Sequence, residues 1–123
     1  MIRLALAFAI LAGSVESQSI KLQADEIATL LSGNTAAGVW DDVLYRQYFG
    51  DDGVTVFSQG GTEILRGKWR VDAELNEYQS IWSNNVEWAG WYVMKFSGNW
   101  YWVSKTTPPT QFEVLEGEQL FTD

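Results

Sequence analysis

The sequence predicts a mainly β protein: a small antiparallel barrel or half-barrel meander of seven or eight strands, with one short N-terminal helix. Three observations carry that expectation. Short runs rich in Val, Tyr, Trp and Phe recur along most of the chain, Gly, Asn and Asp turn signals separate them, and one segment alone has a helical period. An α+β roll, with the helix lying across a concave sheet, is the competing architecture.

Residues 1–17 read as a secretory signal peptide with cleavage near Ser17. Met1-Ile2-Arg3 gives a positive start, Leu4 to Ala12 is unbroken and apolar, and small polar residues follow from Gly13 to Ser19. That run is far shorter than the ~20 residues a membrane-spanning helix needs. A buried N-terminal helix is the other reading. Removing residues 1–17 leaves residues 18–123 as a single β-rich domain, expected to be periplasmic or secreted.

Ala24 to Ser32 reads as the helix. Ile27, Leu30 and Leu31 form one apolar stripe, Asp25 and Glu26 sit in the first turn where the helix dipole favours acids, and Gly33 stands at the C-terminal cap. A helix this short must pack on something larger. Gly38 to Phe49 reads as the first strand and stops at the Gly50-Asp51-Asp52-Gly53 turn. Val54 to Ser58 follows, closed by Gly60-Gly61, then Glu63 to Asp72, with a break expected at Gly67. Glu77 to Ser83 ends at Asn84-Asn85. Glu87 to Ser97 and Trp100 to Ser104 form a hairpin across Gly98-Asn99. Pro108-Pro109 stops continuation, and Gln111 to Leu115 is the last strand. In such a meander the helix covers an open end or an edge.

The net charge is −8, and it stays so after residues 1–17 are removed because Arg3 and Glu16 leave together. This balance disfavours nucleic acid and anionic membrane surfaces and would steer a basic protein partner inward. The chain has neither Cys nor His. Thiol nucleophiles, Ser-His-Asp catalysis and thiolate or imidazole metal sites are therefore excluded. Asp41-Asp42 and Asp51-Asp52 lack the alternating spacing of a calcium loop. Asp51-Asp52-Gly53 reads as turn chemistry, and Asp41 and Asp42, placed in a strand, point to opposite faces. No catalytic set, metal site or cofactor motif emerges, and the expectation is a non-enzymatic protein.

The aromatic hairpin carries the functional expectation. Strand alternation puts Trp88, Tyr92, Met94, Phe96, Tyr101 and Val103 on one face, read as the core wall. The other face carries Trp91, Val93, Lys95, Ser97, Trp100, Trp102 and Ser104. A two-residue register shift leaves both sets unchanged. Trp91, Trp100 and Trp102, with Lys95 beside them, are the candidate ligand-binding residues. The three rings are covered by other elements, exposed as a recognition patch, or line a ligand cavity.

The segments "DEIATLLSGNTAAGVW", "YRQYFGDDG" and "GKWRVD", with an aromatic hairpin and "GEQL", resemble a family of short exported bacterial proteins of unknown function. The family features are a leading helix with G-N-T (Gly33-Asn34-Thr35), a Y-F-x-x-D-G turn (Tyr48 to Gly53) and a G-x-W step (Gly67-Lys68-Trp69). Relatives carry a cysteine pair where Gln79 and Trp91 stand here. The resemblance implies no reaction and no catalytic residues. Gly38-Val39-Trp40 also resembles the G-x-W at the start of lipocalin-like barrels.

The resulting expectation is an exported, non-enzymatic binding domain with an aromatic-lined site for a small apolar molecule or a glycan. The alternative is a protein-binding module, such as an inhibitor of a basic secreted hydrolase, using the Asp51-Asp52 and Asn84-Asn85 loop tips.

Overall fold

The computed structural model describes residues 18–60 and 64–121; the expected signal peptide lies outside the described residues. The order of elements is β1 (Ser19–Lys21), α1 (Ala24–Leu31), β2 (Asn34–Trp40), β3 (Val43–Phe49), β4 (Val54–Gln59), β5 (Leu65–Asp72), β6 (Glu77–Trp82), β7 (Ala89–Phe96), β8 (Asn99–Val103) and β9 (Thr110–Glu116). Strands β2 to β9 pair antiparallel, each with its sequence neighbour, and β9 returns to β2, which closes an eight-stranded barrel. The expected barrel is therefore present, and the open roll is not. Closure removes the sheet edges that a half-barrel would expose.

Strand β1 was not legible in the sequence. It pairs with the second half of β7, Ser19 opposite Phe96 and Lys21 opposite Met94. The same edge of β7 is taken by β6 only through Trp91 to Ala89. β1 thus occupies an edge that the splayed β6 leaves free.

The expected single strand from Gly38 to Phe49 is two strands. Asp41 (φ 52°) and Asp42 (φ 64°) form a left-handed two-residue turn between β2 and β3, a conformation that Asp tolerates better than most residues. The two aspartates are turn residues, not strand residues on opposite faces. The second hairpin is corrected in the same way. Its turn is Ser97-Gly98 (φ 50° and 80°) rather than Gly98-Asn99, so Phe96 faces Asn99 and Lys95 faces Trp100. Strand β5 runs unbroken through Gly67.

Helix α1 closes one end of the barrel. Its Ile27 and Leu31 are fully buried. The Gln23 N–H donates to the Glu26 carboxylate at 2.8 Å, and the Ala24 N–H donates to Asn76 Oδ1 in the β5–β6 turn. At the other terminus, Asn34 Nδ2 donates to the Leu30 carbonyl and the Gly33 N–H to the Phe49 carbonyl. The Glu26 bond is the helix's own cap, and the other three come from the barrel, which holds a helix too short to stand alone.

Beneath the helix an aromatic layer fills the lumen. Phe49 meets Trp69 at 5.4 Å and Tyr78 at 5.5 Å, while Trp102 stacks on Phe112 at 4.1 Å and meets Tyr78 at 5.1 Å. Such pairs add roughly 0.5–1.5 kcal/mol each beyond burial. They supply core packing to a chain without cysteines.

Candidate functional site

The two faces of the aromatic hairpin are inverted relative to expectation. Register puts Trp91, Val93 and Trp102 on the face shared with Tyr78 and Thr110, inside the barrel. Val93 is fully buried and Trp102 is 8% exposed. Tyr92, Met94, Phe96, Tyr101 and Val103 face outward, so they are not the core wall. The reason is closure. In a barrel each strand has one inner face, and the wide inner surface takes the indoles, whereas long outer side chains cover the outward rings. Lys21 Nζ lies 3.9 Å from the Tyr92 ring centre, and the Arg70 guanidinium 3.9 Å from that of Trp88.

Strand direction fixes the two ends. β2 leaves the helix at Asn34 and reaches the far end at Trp40, so Trp40 stands at the barrel's mouth and not at its base. The β2–β3 turn, the β6–β7 loop with Asn84 and Asn85, and the β8–β9 loop surround the mouth. There the lumen is not filled. A cup of about 460 Å³ opens to solvent between Trp40, Phe57, Leu65, Trp82 and Trp91, with Tyr45, Gln47, Tyr78, Ser80 and Trp102 below them. This is in the range of small-molecule sites.

The walls are built from rings that brace one another. Phe57 stacks on Tyr45 at 5.4 Å and meets Trp82 edge-on at 6.2 Å. Trp40 and Trp91 meet edge to face at 5.9 Å, from strands separated by β8 and β9. They narrow the mouth from one side.

The floor is polar and internally paired. Gln47 Nε2 donates to Thr55 Oγ1 and to the Tyr78 hydroxyl, both at 2.9 Å. Because the Thr55 hydroxyl donates to the Tyr48 carbonyl, it can only accept from Gln47, which fixes the amide's orientation. Trp102 Nε1 donates to the Tyr45 hydroxyl. Burial pushes the Tyr78 hydroxyl up to about 12, although hydrogen bonds from Ser80 and Gln47 pull the other way. Burial likewise raises Tyr45, partly offset by the Trp102 bond. Both phenols are neutral near pH 7 and act as hydrogen-bonding groups, not bases.

Of the four residues singled out in the sequence, Trp91 and Trp102 line the cup. Trp100 and Lys95 lie on the inward face nearer the helix-covered end, do not line it, and pair with each other, with Lys95 Nζ 5.1 Å from the Trp100 ring centre. Sequence reasoning missed Trp40, Phe57 and Trp82 as walls and Tyr45, Gln47 and Tyr78 as floor. Their signal was alternation, Tyr45-x-Gln47-x-Phe49 and Tyr78-x-Ser80-x-Trp82, once closure defines which phase points inward. The Gln79 and Trp91 positions sit on paired strands but face opposite sides of the sheet. Among the described residues no cluster of acids could hold a metal ion, and no helix is long and apolar enough to cross a membrane.

The fold and the cup define the class: a small closed antiparallel barrel with a helix under one end and an aromatic cavity open at the other. Comparison of the chain with protein families, with curated proteins and with solved structures gives no match.

Proposed function

We propose that this chain is an exported, non-enzymatic binding protein whose cup takes one small apolar molecule. The observation that carries the reading is the division of the lumen. The helix-covered half is packed solid with rings, while the other half keeps a cavity of about 460 Å³ walled by the same residue types. Filling that volume with side chains would stabilise a barrel of this size, since an open cavity forfeits packing contacts. Retaining it at the end where the walls are Trp and Phe favours a ligand over a purely structural role. Export rests on the character of residues 1–17. Of the two ligand classes that the aromatic residues suggest, a glycan is the weaker fit. Sugar hydroxyls call for many polar partners, and the floor groups here are largely paired with one another. The protein-inhibitor alternative needs its two loop tips side by side, but the Asp51-Asp52 turn joins β3 to β4 at the helix-covered end and Asn84-Asn85 lies at the mouth.

A neutral apolar fluorophore, N-phenyl-1-naphthylamine, tests the reading. Saturable one-to-one binding is expected, weakened about tenfold by Trp82→Ala, which removes a wall, and unchanged by Tyr92→Ala, which removes an outer ring. Absence of saturable binding to the folded protein refutes the proposal.

A further inference from the structure

The cup's chemistry narrows the ligand further, on the reading that the cup is a binding site. Its walls present the rings of Trp40, Trp82 and Trp91, with Trp102 below. An indole ring carries negative charge density on its face and attracts cations more strongly than the other aromatic side chains do. Four of the protein's own cations already lie against other rings. Lys21, Arg46, Arg70 and Lys95 lie over Tyr92, Phe121, Trp88 and Trp100, all outside the cup. Among the described residues no Lys or Arg lines the cavity, and the one charged residue that does is Asp41, at the lip.

The floor points the same way. Gln47, which lines the cavity, gives both amide hydrogens to Thr55 and Tyr78, so what it has left to offer a ligand is an acceptor, not a donor. The whole chain, at −8, attracts cations to the mouth and repels anions. An anionic amphiphile entering this cup would bury a charge with no counter-ion, which is costly. A neutral hydrocarbon would fill the volume but leave the ring faces and the Asp41 carboxylate without a use.

We infer that the cup selects organic cations: molecules whose positive nitrogen is substituted with alkyl or aryl groups, held against the indole faces with Asp41 at the lip. Spreading the charge over carbon substituents lowers the cost of leaving water, so a quaternary or arylammonium group suits the site better than a bare primary amine. The volume admits an aromatic ammonium without requiring the floor to move.

Three probes of nearly one shape separate charge from apolar burial: trimethylphenylammonium, the neutral tert-butylbenzene and the anion benzenesulfonate. Affinities are read from quenching of tryptophan fluorescence at low ionic strength. The cation is expected to bind about tenfold more tightly than the neutral isostere, with no binding of the anion. Asp41→Asn keeps a residue that tolerates the left-handed turn. It should weaken the cation about threefold and leave the neutral probe unchanged. Equal affinities for cation and neutral isostere, or preference for the anion, overturn this inference while leaving the cup a ligand site. If none of the three binds to the folded protein, the cup reading itself fails and the inference falls with it.

Discussion

The indole N–H of Trp102 donates to the phenolic oxygen of Tyr45 over 3.0 Å, tying β8 to β3 through the barrel interior at the base of the cup. Both residues are buried, Tyr45 at 4% and Trp102 at 8% exposed, so losing one leaves the other's polar group with little access to water. Tyr45→Phe should therefore cost about 1–3 kcal/mol in urea unfolding, the range for leaving a buried donor unpaired. Trp102→Phe should cost more, because the stack on Phe112 at 4.1 Å shrinks as well. The double variant should be less destabilised than the sum of the two, by about 1 kcal/mol, since no orphaned partner remains. Strict additivity would mean that the bond contributes nothing.

Tyr78 gives the fold an alkaline limit. Its hydroxyl is raised from 10.0 to about 12 by burial. Above pH ~10 the unfolded chain loses this proton before the folded one, so the folded state then binds more protons and stability falls as pH rises. The contribution is intact below pH ~10 and is progressively lost up to pH ~12, amounting to about 2–3 kcal/mol over that window. Tyr45, shifted in the same direction by burial, adds to the same slope. Denaturant unfolding across this range should show Tyr78→Phe with a shallower decline than the parent chain. Parallel declines would show that Tyr78 does not titrate with unfolding.

Much of this architecture was legible in the chain. Turn chemistry and alternation gave the meander, the stripe of Ile27, Leu30 and Leu31 gave the helix, and Gly33 gave its end. What alternation cannot give is the sign of a face. The sets containing Tyr92 and Trp91 were separable from sequence, but which set points inward depends on closure of β9 onto β2, a pairing between distant segments. Lys95 and the serines marked the second set as polar, yet they stand toward its ends, where the inner face meets solvent. The Asp41-Asp42 turn was hidden because it carries no glycine or asparagine, and β1 because three residues leave no period to read. The cup was missed for a related reason. Its walls come from five strands, and even the richest local stretch, Tyr78 to Asn85, supplies only one of the wall rings, Trp82.

Gly67 shows how one wall of the cup depends on an absent side chain. It sits opposite Trp82 in the β5–β6 pair, and a Cβ built there would lie 2.5 Å from the Ile81 carbonyl oxygen and 2.7 Å from Trp82 Cε3. The first contact is with backbone and cannot be relieved by a rotamer change, so β5 and β6 would have to separate locally. Gly67→Ala should therefore destabilise by about 1–3 kcal/mol even though alanine suits a strand better than glycine does. Gly60→Ala is the matched control, because a Cβ there meets nothing within 4 Å, and it should leave stability nearly unchanged. The two effects of Gly67→Ala, on stability and on the site, should appear together. Displacing the Trp82 ring removes part of the cup's wall, so probe affinity should fall in Gly67→Ala at temperatures where the variant is still fully folded. A variant that loses stability but binds as tightly as the parent chain would place Trp82 outside the working site.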